Sequence, residues 1–169
     1  MNVTFTRTAE RRYRVSVDGP GIVSSWMEPA PGYDERLPHD MAHFVVENEL
    51  GIGGGIFGQL AEGGHAGTFR PMDGQASPRI AKRGKRISAA NHRDANLSER
   101  VVYLTCSKWK KEPYNAAPVK EVSDKDIERV CREFDSVSSA WSKLAVGESM
   151  TLVWQGGKAS TGRRHSKRR

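Results

Sequence analysis

At 169 residues with 37% hydrophobic content, the chain is long enough to bury one core without staples, so a single folded domain is the expectation. No apolar run approaches the roughly 20 residues of a membrane helix. The opening MNVTFTRTAERRYRV lacks a secretion signal's apolar stretch, which points to a cytoplasmic protein. The net charge of +7 is unevenly spread: residues 79–111 hold ten Lys/Arg against Asp94 and Glu99, residues 156–169 hold six and no acid, and the remainder is net acidic. Such asymmetry predicts a polyanionic partner, nucleic acid first.

In chain order, NVTFT alternates Val3 and Phe5 with threonines, and YRVSV alternates Tyr13, Val15 and Val17, which predicts a first β-hairpin. DGPG at 18–21 reads as a turn, IVSSWM as a third strand, and EPAPGYDERLP as a loop. A helix follows, with Pro38 suited to its first position and Gly51 to a left-handed cap after Leu50. Next comes a glycine-rich connection holding one brief helix, IFGQLAE. Residues 70–86 read as a loop leading into basic sequence. LSERVVYLTCSKWKK reads as a helix capped by Ser98. The strongest helix signal runs from a Ser123 cap through Ile127, Val130, Cys131, Phe134, Val137, Trp141 and Leu144, with Gly147 as its stop. SMTLVWQ reads as a final strand. Cys106 and Cys131 fall in predicted helices without CxxC spacing and are expected to be free thiols.

These elements predict an α+β fold, with a small antiparallel sheet (the N-terminal hairpin plus the C-terminal strand) packed against about three helices. The domain spans 1–155, and 156–169 is expected to be a disordered basic tail.

The stretch LPHDMAHFVVENELG carries the sharpest chemical signal. At about 100° per residue, His39, Asp40, His43 and Glu47 fall within about a quarter of the helix circumference, and apolar residues occupy most of the rest. Histidines at i and i+4 lie about 6 Å apart along the axis and can converge on one cation. This identifies His39 and His43 as candidate metal ligands, with zinc the first choice, for a hydrolytic or lyase-like reaction. Asp40 and Glu47 are the candidate acid–base groups. Glu47 lies about 12 Å along the axis from His39, too far to join both histidines on one ion but placed to orient His43. A third ligand must come from elsewhere, and His65, His92, Glu62, Asp73 and Asp94 are the candidates. The same stripe also suits a wet helix face of paired polar residues, or an interface in a non-catalytic association domain.

The segment PAPGYDERLPHDMAHFVVENELGIGGGIFGQLAEGG, with FTRTAERRYRV before it and SMTLVW after, resembles a group of small uncharacterised bacterial proteins with an HDxxHFxVE helix. That resemblance covers most of 1–155 and implies no activity. HDxxH by itself resembles the zinc motif of a ubiquinone-biosynthesis protein family. In that family a Glu follows twelve residues beyond the second His, where this chain has Gly55.

GIGGGIFG follows a helix rather than a strand, so a closely packed connection is expected rather than a phosphate loop. Arg79, Lys82, Arg83, Lys85, Arg86, Arg93, Lys108, Lys110 and Lys111 are the candidate nucleic-acid contacts, with Trp109 placed among the last of them as a stacking surface.

Overall fold

The computed structural model describes residues 1–64, 68–74 and 77–156. The elements in order are β1 (Asn2–Ala9), β2 (Arg12–Asp18), β3 (Ser25–Met27), α1 (His39–Leu50), α2 (Ile56–Ala61), β4 (Arg70–Pro71), α3 (Pro78–Ala90), α4 (His92–Lys110), α5 (Asp124–Trp141) and β5 (Ser149–Val153). The strands form one antiparallel sheet in the order β4-β3-β2-β1-β5, and the fold is α+β. The expected basic tail lies outside the described residues.

Period-two alternation builds the sheet as its sequence predicts. Val3 pairs with Val17 and Phe5 with Val15, and all four are fully buried on one face. On the opposite face, Thr4 and Thr6 of β1 meet Thr151 and Ser149 of β5 through hydroxyl contacts of 2.8 Å each. The C-terminal strand therefore lies directly beside the first.

Helix α1 occupies the centre, touching α2, α4 and α5. Its Phe44 meets the rings of Phe5, Phe57 and Trp154 edge-on, at centroid distances of 6.3, 5.3 and 6.0 Å. Helix α5 is fixed through Trp141, which lies edge-on to Tyr13 at 6.0 Å and donates its indole N–H to the Asp34 carbonyl at 3.2 Å. Ser123 and Asp126 form the capping box that starts α5.

Four elements differ from the sequence expectations, the first being Arg70–Pro71, which pairs with β3 as the short strand β4 instead of belonging to a loop. Residues 78–90 form α3 rather than a loop: Ser77 accepts from the Ile80 N–H, Pro78 opens the helix, and only Gly84 and Ile87 are buried. With so narrow an apolar stripe, the start signals outweigh the low apolar content. Helix α4 begins at His92, so Ser98 is not its cap but a buried residue in its second turn. Helix α5 ends at Trp141, before Gly147, because the N–H of Leu144 turns to the Trp141 carbonyl in a tighter i−3 pattern. Gly147 instead shapes the turn into β5, donating its N–H to the Arg7 carbonyl at 2.7 Å.

Phe44→Ala is expected to cost about 3–5 kcal/mol in urea denaturation, because it empties a site bounded by three aromatic rings. Ser123→Ala removes only a cap and is expected to cost about 1 kcal/mol.

Candidate metal centre

Beyond His39, the polar stripe of α1 is turned into the protein rather than to solvent. His43 is 1% exposed, Glu47 0% and Asp40 4%, so each needs an internal partner. His39, at the start of the helix, is exposed. Gly32 lies against it: in its left-handed conformation at φ 68°, a Cβ there would stand 2.5 Å from the His39 Cβ.

Glu47 is the most heavily bonded of the three. One carboxylate oxygen accepts from the Ile56 N–H at 2.9 Å and the Ser98 hydroxyl at 2.8 Å, and the other accepts from the Phe57 N–H at 2.9 Å. The two backbone donors are the first residues of α2, whose entry depends on Gly55. A Cβ at that glycine would fall 2.1 Å from the Glu47 Cδ. The glycine-rich connection is thus wrapped closely around this carboxylate.

Ser98 passes the order on to His43. Its hydroxyl proton goes to the carboxylate, the stronger acceptor, so its oxygen accepts from His43 Nδ1–H at 3.0 Å. Direct contact between His43 Nδ1 and Glu47 is longer, at 3.7 Å. This relay selects the tautomer with a bare Nε2. That Nε2 lies 3.1 Å from His39 Nε2 and 3.5 Å from an oxygen of Glu99. Burial disfavours the charged ring of His43, but Glu47 and Glu99 outweigh it and hold its pKa above the ordinary histidine value. Burial and the neighbouring His43 pull His39 below that value.

Among the described residues, His39, His43 and Glu99 form a group whose ligand atoms all lie within 4.8 Å of one another and which could hold a metal ion. With bond lengths of about 2.0–2.1 Å, the separations of 3.1 and 3.5 Å from His43 Nε2 correspond to angles of about 100° and 120° at one ion, and His39 and Glu99, which stand farther from each other, would close on it from the rim. The 3.1 Å separation also serves a histidine–histidine hydrogen bond when no ion is bound.

The group borders two openings. One is a cleft of about 340 Å³ with His39 and Glu99 in its wall and Leu37, Ala42, Val102, Tyr103 and Cys106 along it. Its far end holds Lys110, paired with Asp34 at 2.8 Å. Burial raises the Cys106 thiol pKa to about 11, which leaves it a poor nucleophile. A smaller hollow of about 230 Å³ is lined by His43, Glu47, Ser98 and Glu99.

The structure thus brings His39 and His43 together, and Glu99 completes the group in place of the candidates named from sequence. His92 contacts Asn96 at 3.1 Å, Asp94 accepts from the Gly54 N–H at 3.1 Å, and Glu62 and Asp73 stand outside the group. His65 lies outside the described residues. Glu47 stands behind His43. Asp40 faces Tyr13, whose hydroxyl contacts both its carboxyl and, at 2.6 Å, the Pro31 carbonyl. A phenol has one proton for two acceptors, so both contacts are hydrogen bonds only if Asp40 is itself protonated. Burial pushes the Asp40 pKa up, in the same direction.

The basic candidates divide between two places. Arg79, Lys82, Arg83, Lys85 and Arg86 are on α3 and Arg93 begins α4, whereas Lys108, Lys110 and Lys111 stand at its other end, about 22 Å away at 1.5 Å per residue. Trp109 donates its N–H to Asp135 at 2.8 Å and carries the Arg36 guanidinium 4.5 Å above its ring, so its stacking face is taken.

Compared with protein-family models, with curated proteins and with solved structures, the chain matches none. No described helix is long and apolar enough to cross a membrane.

Asp40 gives a prediction with a definite sign. A carboxyl with a raised folded-state pKa adds stability below its unfolded pKa of about 3.9 and loses it as pH rises through the folded value. Asp40→Asn is therefore expected to gain stability relative to the parent as pH rises from about 3.9 through the folded value, read as urea midpoints across pH. A parallel pH dependence for both proteins would contradict a protonated Asp40.

Proposed function

We propose that His39, His43 and Glu99 bind one divalent transition-metal ion, zinc first, and that the protein is a metal-dependent hydrolase acting on a small substrate held in the adjoining cleft. The observation that carries this reading is the buried Glu47–Ser98–His43 relay, which leaves the His43 Nε2 lone pair directed at His39 and Glu99. Partners of this kind behind a ligating histidine set its tautomer and raise its basicity. Two histidines and a glutamate are the donor set of catalytic rather than structural zinc sites, because three protein ligands leave a position open. The same donors also suit iron(II).

An ion at this site would supply Lewis-acid charge and lower the pKa of a bound water. The chain's own residues divide the remaining tasks. His43 is the rigid ligand, buried and oriented from behind. His39 and Glu99 reach it from the exposed rim, where Glu99 keeps 62% of its side chain accessible. Leu37, Ala42 and Val102 offer an apolar wall for the body of a substrate. Glu47 and Ser98 are positioning residues, and Asp40 ties α1 to the sheet through Tyr13.

Zinc and iron(II) titrations of the untagged chain test the site, with metal content measured after dialysis. One ion per chain is expected, with loss of binding in His43→Ala and a drop of about 10–100-fold in Ser98→Ala, whose ligands are intact. Undiminished binding in both variants would overturn the site. Chromogenic esters and phosphoesters test the reaction: hydrolysis abolished by chelation and restored by the metal is expected. A metal-loaded chain that hydrolyses none of them would remove the hydrolase while leaving the site.

A further inference from the structure

We infer that the outer face of α3 is a docking surface for duplex DNA. The inference does not depend on the metal centre. Helix α3 lies within a stretch, residues 74–93, that contains no acid. Taking Ile80 as the origin at about 100° per residue, Gly84 and Ile87 fall within about 40° of it, and these two are the buried residues of the helix. Lys85, Lys82, Arg86 and Arg79 then occupy an arc of about 120° centred opposite that anchor, on the ridge farthest from the body. All four are exposed, and none forms an ion pair among the described residues. Arg83, about 40° beyond the arc, is tethered to the Glu62 carbonyl and is not counted with them.

A ridge of four cations with no acid between them repels itself unless an anion covers it, and its shape selects among polyanions. From Arg79 to Arg86 it runs about 10 Å at 1.5 Å per residue. The major groove of B-form DNA, about 12 Å wide, admits an α-helix, and cations spread over such an arc reach the phosphates on both of its walls. The deep, narrow major groove of A-form RNA does not admit a helix. Insertion into an anionic membrane would need a free apolar face, but Ile87 is buried against the protein and Ile80 on the same side is only part-exposed. The second group of cations does not extend the ridge. Lys108 and Lys111 stand at the far end of α4, and Lys110 is paired with Asp34. Contacts of this kind position DNA by its backbone and read no sequence.

The test uses the full chain and a fluorescent DNA duplex of about 20 base pairs, followed by anisotropy from about 50 to 200 mM salt. Four phosphate contacts predict a log–log salt slope near −4 and a loss of affinity of about 100-fold across that range. Changing Arg79, Lys82, Lys85 and Arg86 together to Gln is expected to remove most of that slope. The paired change of Lys108 and Lys111 to Gln should leave it in place. A melting curve matching the parent's confirms that the fourfold variant is folded. If it is not, the separate single changes to Gln carry the test, each expected to reduce the slope by about 0.9. The inference is overturned if the slope survives these changes, or if it disappears instead when Arg163, Arg164, Lys167, Arg168 and Arg169 are changed to Gln. Equal binding to an RNA duplex, to single-stranded RNA or to phosphatidylglycerol vesicles would also overturn it.

Discussion

A carboxylate with no exposed surface organises this protein. Glu47 is buried in the central helix of the fold, where an unpartnered charge would cost several kcal/mol. Its three donors come from separate parts of the chain: two backbone N–H groups at the start of α2 and the Ser98 hydroxyl of α4. Meeting that demand brings α4 to α1, draws the glycine-rich connection back over the carboxylate, and excludes a side chain at Gly55. Once Ser98 has given its proton to Glu47, its oxygen is free only to accept, and the orientation of the His43 ring follows.

The order in which these constraints act explains why the candidate site lies where it does. Helix α1 enters at Pro38, with Gly32 folded against His39, so the first histidine stays at the rim. One turn later His43 is inside, and one further turn later Glu47 is fully enclosed. The stripe therefore runs from solvent into the core. Its outer end meets Glu99 and the cleft, and its inner end meets the donors that hold the helix in register. The arrangement divides ligation from support along a single helix.

Much of this was legible in the chain. Alternation in 3–5 and 13–17 predicts the hairpin, the Ser123 cap marks the start of α5, and the wheel places His39, His43 and Glu47 on one stripe. The partners of the stripe were not legible, because they depend on distances between helices rather than within one. Ser98 looks like a cap because a short polar residue precedes an apolar pattern. Only a helix beginning at His92 puts it on the buried face with Val101, Val102 and Thr105, where a polar residue signals a buried partner. Glu99 follows from the same register and carries no spacing signal of its own. Helix α3 announced itself only through Ser77 and Pro78, since its contact with the body is two or three residues wide.

The tautomer of His43 is the point on which this account turns. Long-range proton–nitrogen correlation spectra of the histidine rings at a pH above the raised His43 titration, where the ring is neutral, recorded before and after addition of zinc, observe it directly. The relay predicts a proton on Nδ1 of His43 and a bare Nε2 whose resonance shifts on titration with the metal, together with that of His39. A proton on Nε2 of His43, or an Nε2 resonance that zinc leaves unmoved, would contradict it.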